Sequence, residues 1–457
     1  VRVIARPPIP SGPYLVAGLA RSGVAAALAL AARGEVVIGV DAREPRGLDE
    51  LRARGIELHL AAPAEDAAPL LERASALVKS PGVPAQEPIV SGARARGMPV
   101  LGELELGWRL LANEFVAVTG TNGKTTTVEL IAHILRASDV PVVVAGNVGT
   151  ALCSLVGGVA SRDVVACEVS SFQLEDALCF APEVAVLLNI APDHLDRHGS
   201  MREYEAAKLR IFAAQPSGAA AVVPSALRER VEQALATPPQ NERRIVCFGE
   251  DPRSELALRD GALWWDARER LLDVAELPLR GAHNVENAMA AAAACLARGT
   301  PLEGVREGLR SFAGVPHRLE EVATIDGVLY VNDSKATNVA STIVALDAFA
   351  GQRVHLILGG QGKGQDFSPL RAPVERSCAA VYLIGEDSEV IERALAGSGP
   401  PLNDCRELEP ALRACSGAAY AGEVVLLSPA CASFDQFDDF EARGERFREL
   451  VVEGLSA

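Results

Sequence analysis

Lysine is nearly missing from this 457-residue chain: five lysines stand against 39 arginines. A coding bias toward Arg explains the solvated surface, where either cation serves. It does not explain Lys79, Lys124, Lys208, Lys335 and Lys363, where a compact amine or amine chemistry is called for. Aromatic residues are scarce at 4%, and no apolar run has the length of a membrane span; the most uniform, AMAAAAACLA from Ala288, is too short. The first residues, VRVIARPPIPSGPY, lack the apolar core of a signal peptide. Nine cysteines form no C-x-x-C, which argues against structural zinc and, with their odd number, for reduced thiols in a cytoplasmic protein. A net charge of −16 without a basic patch excludes nonspecific nucleic-acid binding.

What is present is a repeated α/β signal. YLVAGLARSG, VAAALALAARG and EVVIGVDAREP read as strand, glycine turn, helix and strand, the unit of a parallel sheet covered by helices. FVAVTG followed by TTVELIAHILRAS repeats it, and GVLYVNDSKATN, RVHLILGG, AAVYLIG and EVVLLSPA form a third series. Three α/β domains are expected, at residues 1–102, 103–314 and 315–457: a Rossmann-like domain, a central P-loop ATPase-type parallel sheet, and a second Rossmann-like domain.

In VTGTNGKTTT, backbone amides and a helix N-terminus converge on one point suited to phosphate oxygens. Val118 stands where a standard phosphate loop has its first glycine. Lys124 is placed to neutralise the β and γ phosphates and Thr125 to ligate magnesium, while Glu168, closing an apolar run, is the acid expected to assist that metal. Asp193, His194, Asp196 and His198 crowd the next loop, and Lys208 lies on the helix after it; His and Asp at such spacings are either metal ligands or solvated loop residues. Asn284 reads as a helix N-cap. GLARSG at Gly18–Gly23, with Asp41 closing the next strand, imitates a dinucleotide fingerprint, but Ala20 holds the middle glycine position and would hinder approach of a pyrophosphate.

Taken together, TGTNGKTT, GNVG, EVSSFQLE, DHLDRH with AAKLRIF, GAHNVENAMAA, PHRLE, NDSKATN, GGQGKGQDF and SPACASFDQF resemble the Mur ligase family from about Tyr14 to Gly444. NDSKATN, GGQGK and SPACASFDQF are similar to the members that add D-glutamate to UDP-N-acetylmuramoyl-L-alanine, and no D-N-P-R segment is present. The resemblance implies an ATP-dependent ligase working through an acyl phosphate, a monomer without nucleic-acid or membrane partners. It implies that Thr121, Asn122, Gly123, Lys124, Thr125, Thr126 and Thr127 cradle the triphosphate. Asn284, Asn287, Arg318, Asp333 and Lys335 would contact ATP. Thr125 and Glu168 would hold one magnesium, and His194 with a carbamylated Lys208 a second; Asp193 would orient a metal ligand.

By the same resemblance, Arg21, Ser22, Asp41, Arg43, Ser80 and Gly82 take the UDP end of the substrate. Asn147, Ser170, Gln173 and His194 face its muramoyl-alanine part, and Thr337, Lys363, Ser433, Phe434 and Phe440 form the D-glutamate pocket. Ala42, Gln361 and Phe434 depart from residues frequent in the family, which bears on affinity rather than on the reaction. A sister ligase, including a folylpolyglutamate synthetase, or a nucleotide-driven switch or motor are the rival readings.

Overall fold

The protein is described from a computed structural model covering residues 5–45, 48–61, 67–235, 244–279 and 281–454. It divides into two compact units, one holding the chain to Leu277 with His283–Phe312, the other Pro278–Ala282 with the chain from Ala313.

The first unit contains two sheets. One is parallel throughout, in the spatial order Glu57–Leu60, Val37–Asp41, Tyr14–Ala17, Ala76–Lys79 and Val100–Gly102. Its central strands are buried along their length, as continuous apolar runs such as YLVA and ALVK require of a sheet covered on both faces. The second sheet has nine strands: Glu269–Asp273, Ala262–Trp265, Leu256–Arg259, Arg244–Gly249, Ala220–Pro224, Val184–Leu187, Glu114–Thr119, Val164–Glu168 and Val142–Gly146. Seven pair in parallel; the last of these, Leu256–Arg259, also starts an antiparallel meander with Ala262–Trp265 and Glu269–Asp273 that the βα pattern did not announce.

The helix Glu103–Leu110 joins these sheets by facing two cores. Leu104 and Trp108 pack with Phe115, Leu174 and Phe180 under the nine-stranded sheet, while Leu106 packs with Tyr14, Ala151 and Cys153. Burying such side chains is worth about 1.5–3 kcal/mol each. Between its leucines sit two buried glutamates. Glu105 accepts from the amides of Leu178 and Cys179 and from Arg109, and Glu103 accepts from the amide of Cys153 at 2.7 Å. Arg6, ahead of the first strand, stacks on Trp108 with its guanidinium 4.3 Å from the ring centre and donates to the carbonyl of Asn113.

The second unit carries a six-stranded sheet in the order Glu320–Ile325, Val328–Asn332, Val424–Leu427, Val354–Gly359, Cys378–Ile384 and Leu402–Arg406. Its first strand is antiparallel and the rest are parallel. The strand Leu402–Arg406, with the polar sequence LNDCR, carries no apolar run from which it could have been read. All nine cysteines are free thiols. Among the described residues no helix is long and apolar enough to cross a membrane.

Candidate active site

The strand Glu114–Thr119 runs into Gly120, and the helix Lys124–Ala137 begins after Gly123. Gly123 has φ +84°, and a Cβ there would lie 2.1 Å from Asn287 Oδ1. Glycine is therefore needed twice, for the left-handed backbone and for the close approach of Asn287. Asn287 is held by two further contacts: its Nδ2 donates to Asn284 Oδ1 at 3.2 Å and its Oδ1 accepts from Thr127 Oγ1 at 3.4 Å. Asn284 is no N-cap, since its helix already starts at Ala282. Both asparagines buttress the loop from beneath. Asn189, which no motif singled out, shapes it from the other side: its Oδ1 accepts from the amides of Thr121 at 3.1 Å and Asn122 at 2.9 Å.

Two of the five lysines meet on one carbonyl. Lys124 Nζ donates to Gly120 O at 3.0 Å and to Thr121 O at 2.9 Å, and Lys208 Nζ reaches Gly120 O at 2.7 Å. Lys208 comes from the helix Met201–Leu209, is 1% exposed, and lies over the Tyr204 ring, whose hydroxyl meets Thr121 Oγ1. Burial, then the charge of Lys124, lowers the Lys208 amine to about 7, against the opposing pull of Asp193. Near neutral pH the uncharged form of this amine is therefore well populated.

Glu168 ends the strand Val164–Glu168 and is 3% exposed. Its Oε2 accepts from Thr125 Oγ1 at 2.7 Å and its Oε1 from Asn147 Nδ2 at 3.0 Å. A cavity of about 190 Å³ opens beside the pair, lined in part by Glu129 and Thr150. A hydroxyl and a carboxylate suit magnesium, a hard cation that takes few protein ligands and keeps water and phosphate oxygens for the rest. Among the described residues no three His, Cys, Asp or Glu side chains gather as a metal cage.

His194 and His198 part ways. His194, with φ +51°, stays half-exposed beside Asp193 at 3.4 Å and against the Phe172 ring. His198 turns inward to Ser171 Oγ at 3.0 Å and lies 3.5 Å from Glu175, a structural role. The side chain of Asp196 lies outside the described residues. Ser170 and Gln173 pair with each other in a reciprocal capping box at the start of the helix Ser171–Leu174, an S-x-x-Q signal legible in the sequence but not used.

At the first glycine turn, Gly18 has φ +83° and a Cβ on Gly23 would sit 1.7 Å from Gly18 O. Asp41 accepts from the amides of Leu19 and Arg43, and Ser80 Oγ donates to Gly18 O at 2.9 Å. Arg21 and Ser22 open the helix Arg21–Ala32, and Arg21 also donates to Asn147 O at 3.2 Å. A cavity of about 640 Å³ lies here, lined by Leu19, Arg21, Asp41, Arg43 and Ser154 among others. Ser80 and Gly82 fall on the adjoining loop, and around Gly82 there is open space.

In the second unit, Asp333 is buried, accepts from Ser428 Oγ at 2.8 Å and Leu319 N at 3.2 Å, and is pushed up to about 7 by burial, with Arg318 opposing. Lys335 lies over the Phe440 ring at 5.2 Å and Lys363 over the Phe434 ring at 5.5 Å. Thr337 is exposed, Phe434 is 62% exposed, and Ser433 Oγ is buried with no hydrogen-bond partner among the described residues. Gln361 pairs through its backbone with Ala432, joining the glycine-rich loop to the SPACAS segment. Arg443, which no motif marked, holds that region together. Fully buried, it donates to Ser334 Oγ at 2.9 Å, Ser334 O at 2.8 Å and Cys431 O at 3.0 Å.

A strand, a glycine loop with its lysine, and a helix, with a hydroxyl–carboxylate pair at the next strand end, define a P-loop nucleotide-binding protein. Residues 118–295 match the Mur ligase middle domain, 317–431 the Mur ligase glutamate ligase domain, and 13–102 the Mur ligase MurD-like N-terminal domain. The chain is 42% identical over 446 residues to the UDP-N-acetylmuramoylalanine–D-glutamate ligase of Acidobacterium capsulatum, covering 96% of this chain and 95% of that one. It is 40% identical over 490 residues to the ligase of that name from Burkholderia mallei, covering 96% of each. In fold it is similar to the UDP-N-acetylmuramate–alanine ligase of Thermotoga maritima, with TM-score 0.59 and 20% identity over 97% of this chain and 100% of that one. A second neighbour, the UDP-N-acetylmuramoylalanyl-D-glutamyl-2,6-diaminopimelate–D-alanyl-D-alanyl ligase of Acinetobacter baumannii, gives TM-score 0.60 at 17% identity, over 96% of this chain and 93% of that one. This chain belongs to the Mur ligase family.

Proposed function

We propose that this chain is the ATP-dependent ligase that joins D-glutamate to UDP-N-acetylmuramoyl-L-alanine, a cytoplasmic step of peptidoglycan precursor synthesis. The observation that carries the chemistry is the convergence of Lys124 and Lys208 on Gly120 O, within a phosphate loop in the same unit as the Thr125–Glu168 pair. The identity of the substrates rests on the likeness to the D-glutamate-adding relatives over 96% of the chain.

In this reading residues 1–102 hold the UDP end, 103–314 the ATP, and 315–457 the amino acid. A carboxylate is a poor electrophile. Its oxygen attacks the γ-phosphorus, ADP leaves, and the acyl phosphate so formed carries a leaving group; the amine of D-glutamate then attacks the acyl carbon and phosphate departs. Lys124 offsets the charge that collects on the transferring phosphoryl group. Thr125 and Glu168 would hold one magnesium ion, which when bound supplies further charge neutralisation. His194 and Lys208 would serve a second. The Lys208 amine, lowered to about 7, has the uncharged form needed to add carbon dioxide and release a proton, giving a carbamate that arginine could not form. Asp193 would position His194, and Asn284, Asn287, Arg318, Asp333 and Lys335 would serve ATP. Lys363, Thr337 and Ser433 offer a cation and hydroxyls for two carboxylates, with Phe434 and Phe440 as walls. The chain acts as a monomer.

Phosphate release from ATP, measured with each component omitted in turn, tests the reading. Release should require magnesium, UDP-N-acetylmuramoyl-L-alanine and D-glutamate together. Release with L-glutamate, lysine or diaminopimelate instead would make this a sister ligase, and release with no acceptor would make it a nucleotide switch.

A further inference from the structure

Lys79 is the lysine that the proposed chemistry leaves without a task, and it is the most deeply placed of the five, at 0% exposure. It ends the strand Ala76–Lys79, immediately before the loop that carries Ser80 and Gly82. Its Nζ makes two contacts of 2.8 Å, one to the carbonyl of Val83 across that loop and one to Asp176 Oδ2. Asp176 is 4% exposed and lies in the turn just beyond the capped helix Ser171–Leu174, on the connection between the strands Val164–Glu168 and Val184–Leu187 of the nine-stranded sheet. Arg94, itself half-exposed, takes the other oxygen of Asp176 at 2.9 Å. Arginine at position 79 would bring a wide planar fork where a point charge bridges a carbonyl and a carboxylate.

The bridge joins two segments with different tasks. On one side, the Lys79 loop is locked to the first glycine turn, since Ser80 Oγ bonds Gly18 O and Val83 would touch any Cβ on Gly18 at 2.7 Å. On the other, the chain from Glu168 to Gln173 leads directly into Asp176. We infer that Lys79 and Asp176 are positioning residues that fix the separation between the subsite for the uridine diphosphate and the subsite for the carboxylate-bearing end of the same substrate. The inference rests on the proposed substrate and adds to it a device that neither subsite contains. Two subsites at a fixed spacing bind a molecule that spans them far more tightly than either half, and that gain is lost when the spacing is loosened.

Calorimetry with UDP and with UDP-N-acetylmuramoyl-L-alanine separates this role from simple support of the fold. In Lys79→Met the affinity for UDP should stay within about twofold, while the full substrate should weaken by about tenfold or more. Because a buried Asp176 left with Arg94 as its one cation can compromise folding, the double variant Lys79→Met/Asp176→Leu is the companion; it leaves no uncompensated buried charge, and Arg94 is already half-exposed. It should show the same split. Parallel loss of both ligands, or unchanged binding of both, in the variant that folds would overturn the inference. A wild-type protein that binds UDP and the full substrate equally well would instead strike at the proposed substrate, and the positioning role would fall with it.

Discussion

At the Gly18 turn, the acid Asp41 is spent on backbone amides, Ser80 on a carbonyl, and the helix behind is pressed so close that Gly23 meets Gly18 O. At the Gly120 loop, by contrast, the glycine is pressed by a side chain, Asn287, and two amines share one carbonyl oxygen. Both are strand–glycine–helix turns with an N-terminus aimed outward. The first uses its polar groups to hold its own shape; the second crowds two amines together, which with burial drives Lys208 toward its uncharged form. One amine kept cationic for a polyanion beside another kept reactive serves chemistry rather than shape, which is why the chemistry is assigned to the second turn.

The largest break in this contrast should come from the amines. Lys124→Ala and Lys208→Arg are each expected to lower turnover by on the order of 10²–10³-fold or more in the phosphate-release assay, the first by removing charge and the second while keeping it. Turnover within a few fold of wild type for Lys208→Arg would remove the carbamate role. Next comes the shape-holding turn. Gly23→Ala drives a methyl against a backbone oxygen and should cost about 1–3 kcal/mol or more of stability in denaturant titration. Gly82→Ala, with open space around it, should stay within about 0.5 kcal/mol.

The charge at the second turn also sets a pH dependence. Lys208 titrates near 7 in the folded protein against 10.5 as its ordinary value, so the unfolded chain binds the extra proton between those limits. Stability of the protein without nucleotide should therefore rise with pH across that window. Thermal melts should lose much of this slope in Lys208→Met, and in Lys124→Ala the lower limit should move up, because the Lys124 charge helps to depress it. Among the kinetic effects, the smallest is expected at the acceptor pocket. Phe434→Leu removes an exposed ring from beneath Lys363 and should raise the KM for D-glutamate by about two- to fivefold with kcat unchanged, in keeping with about 0.5–1 kcal/mol.

Much of the fold was legible because it is built from local signals. Short β-rich runs ending in glycine, and Ala-rich helical stretches, marked the parallel strands and their crossovers, and the strand end at Glu168 fell where the apolar run VVACE stopped. The polar strand Leu402–Arg406 was not legible, since an edge strand needs no continuous apolar run, whereas the meander at Leu256–Asp273 carried an unused hairpin signal, Asp260–Gly261 between the runs LALR and ALWW. Within the site, the loop, its lysine and its acid were readable as a spaced motif. Asn189, Arg443 and the Lys79–Asp176 bridge were not, because each acts across 67 to 109 residues or between sheets on partners that sequence spacing does not reveal.

The sequence by itself determined the class of chemistry. A chain with five lysines placed two in a phosphate-loop context and on the helix after DHLDRH, and its motifs carried the resemblance to a ligase family. Only the tertiary structure decided which polar residues hold and which stand ready. It turned His198 inward and left His194 outside, set Asn287 under Gly123, and buried Lys79 against Asp176. The physical reason is that a buried polar group must find a partner, and that partner is chosen by packing in space rather than by neighbours along the chain.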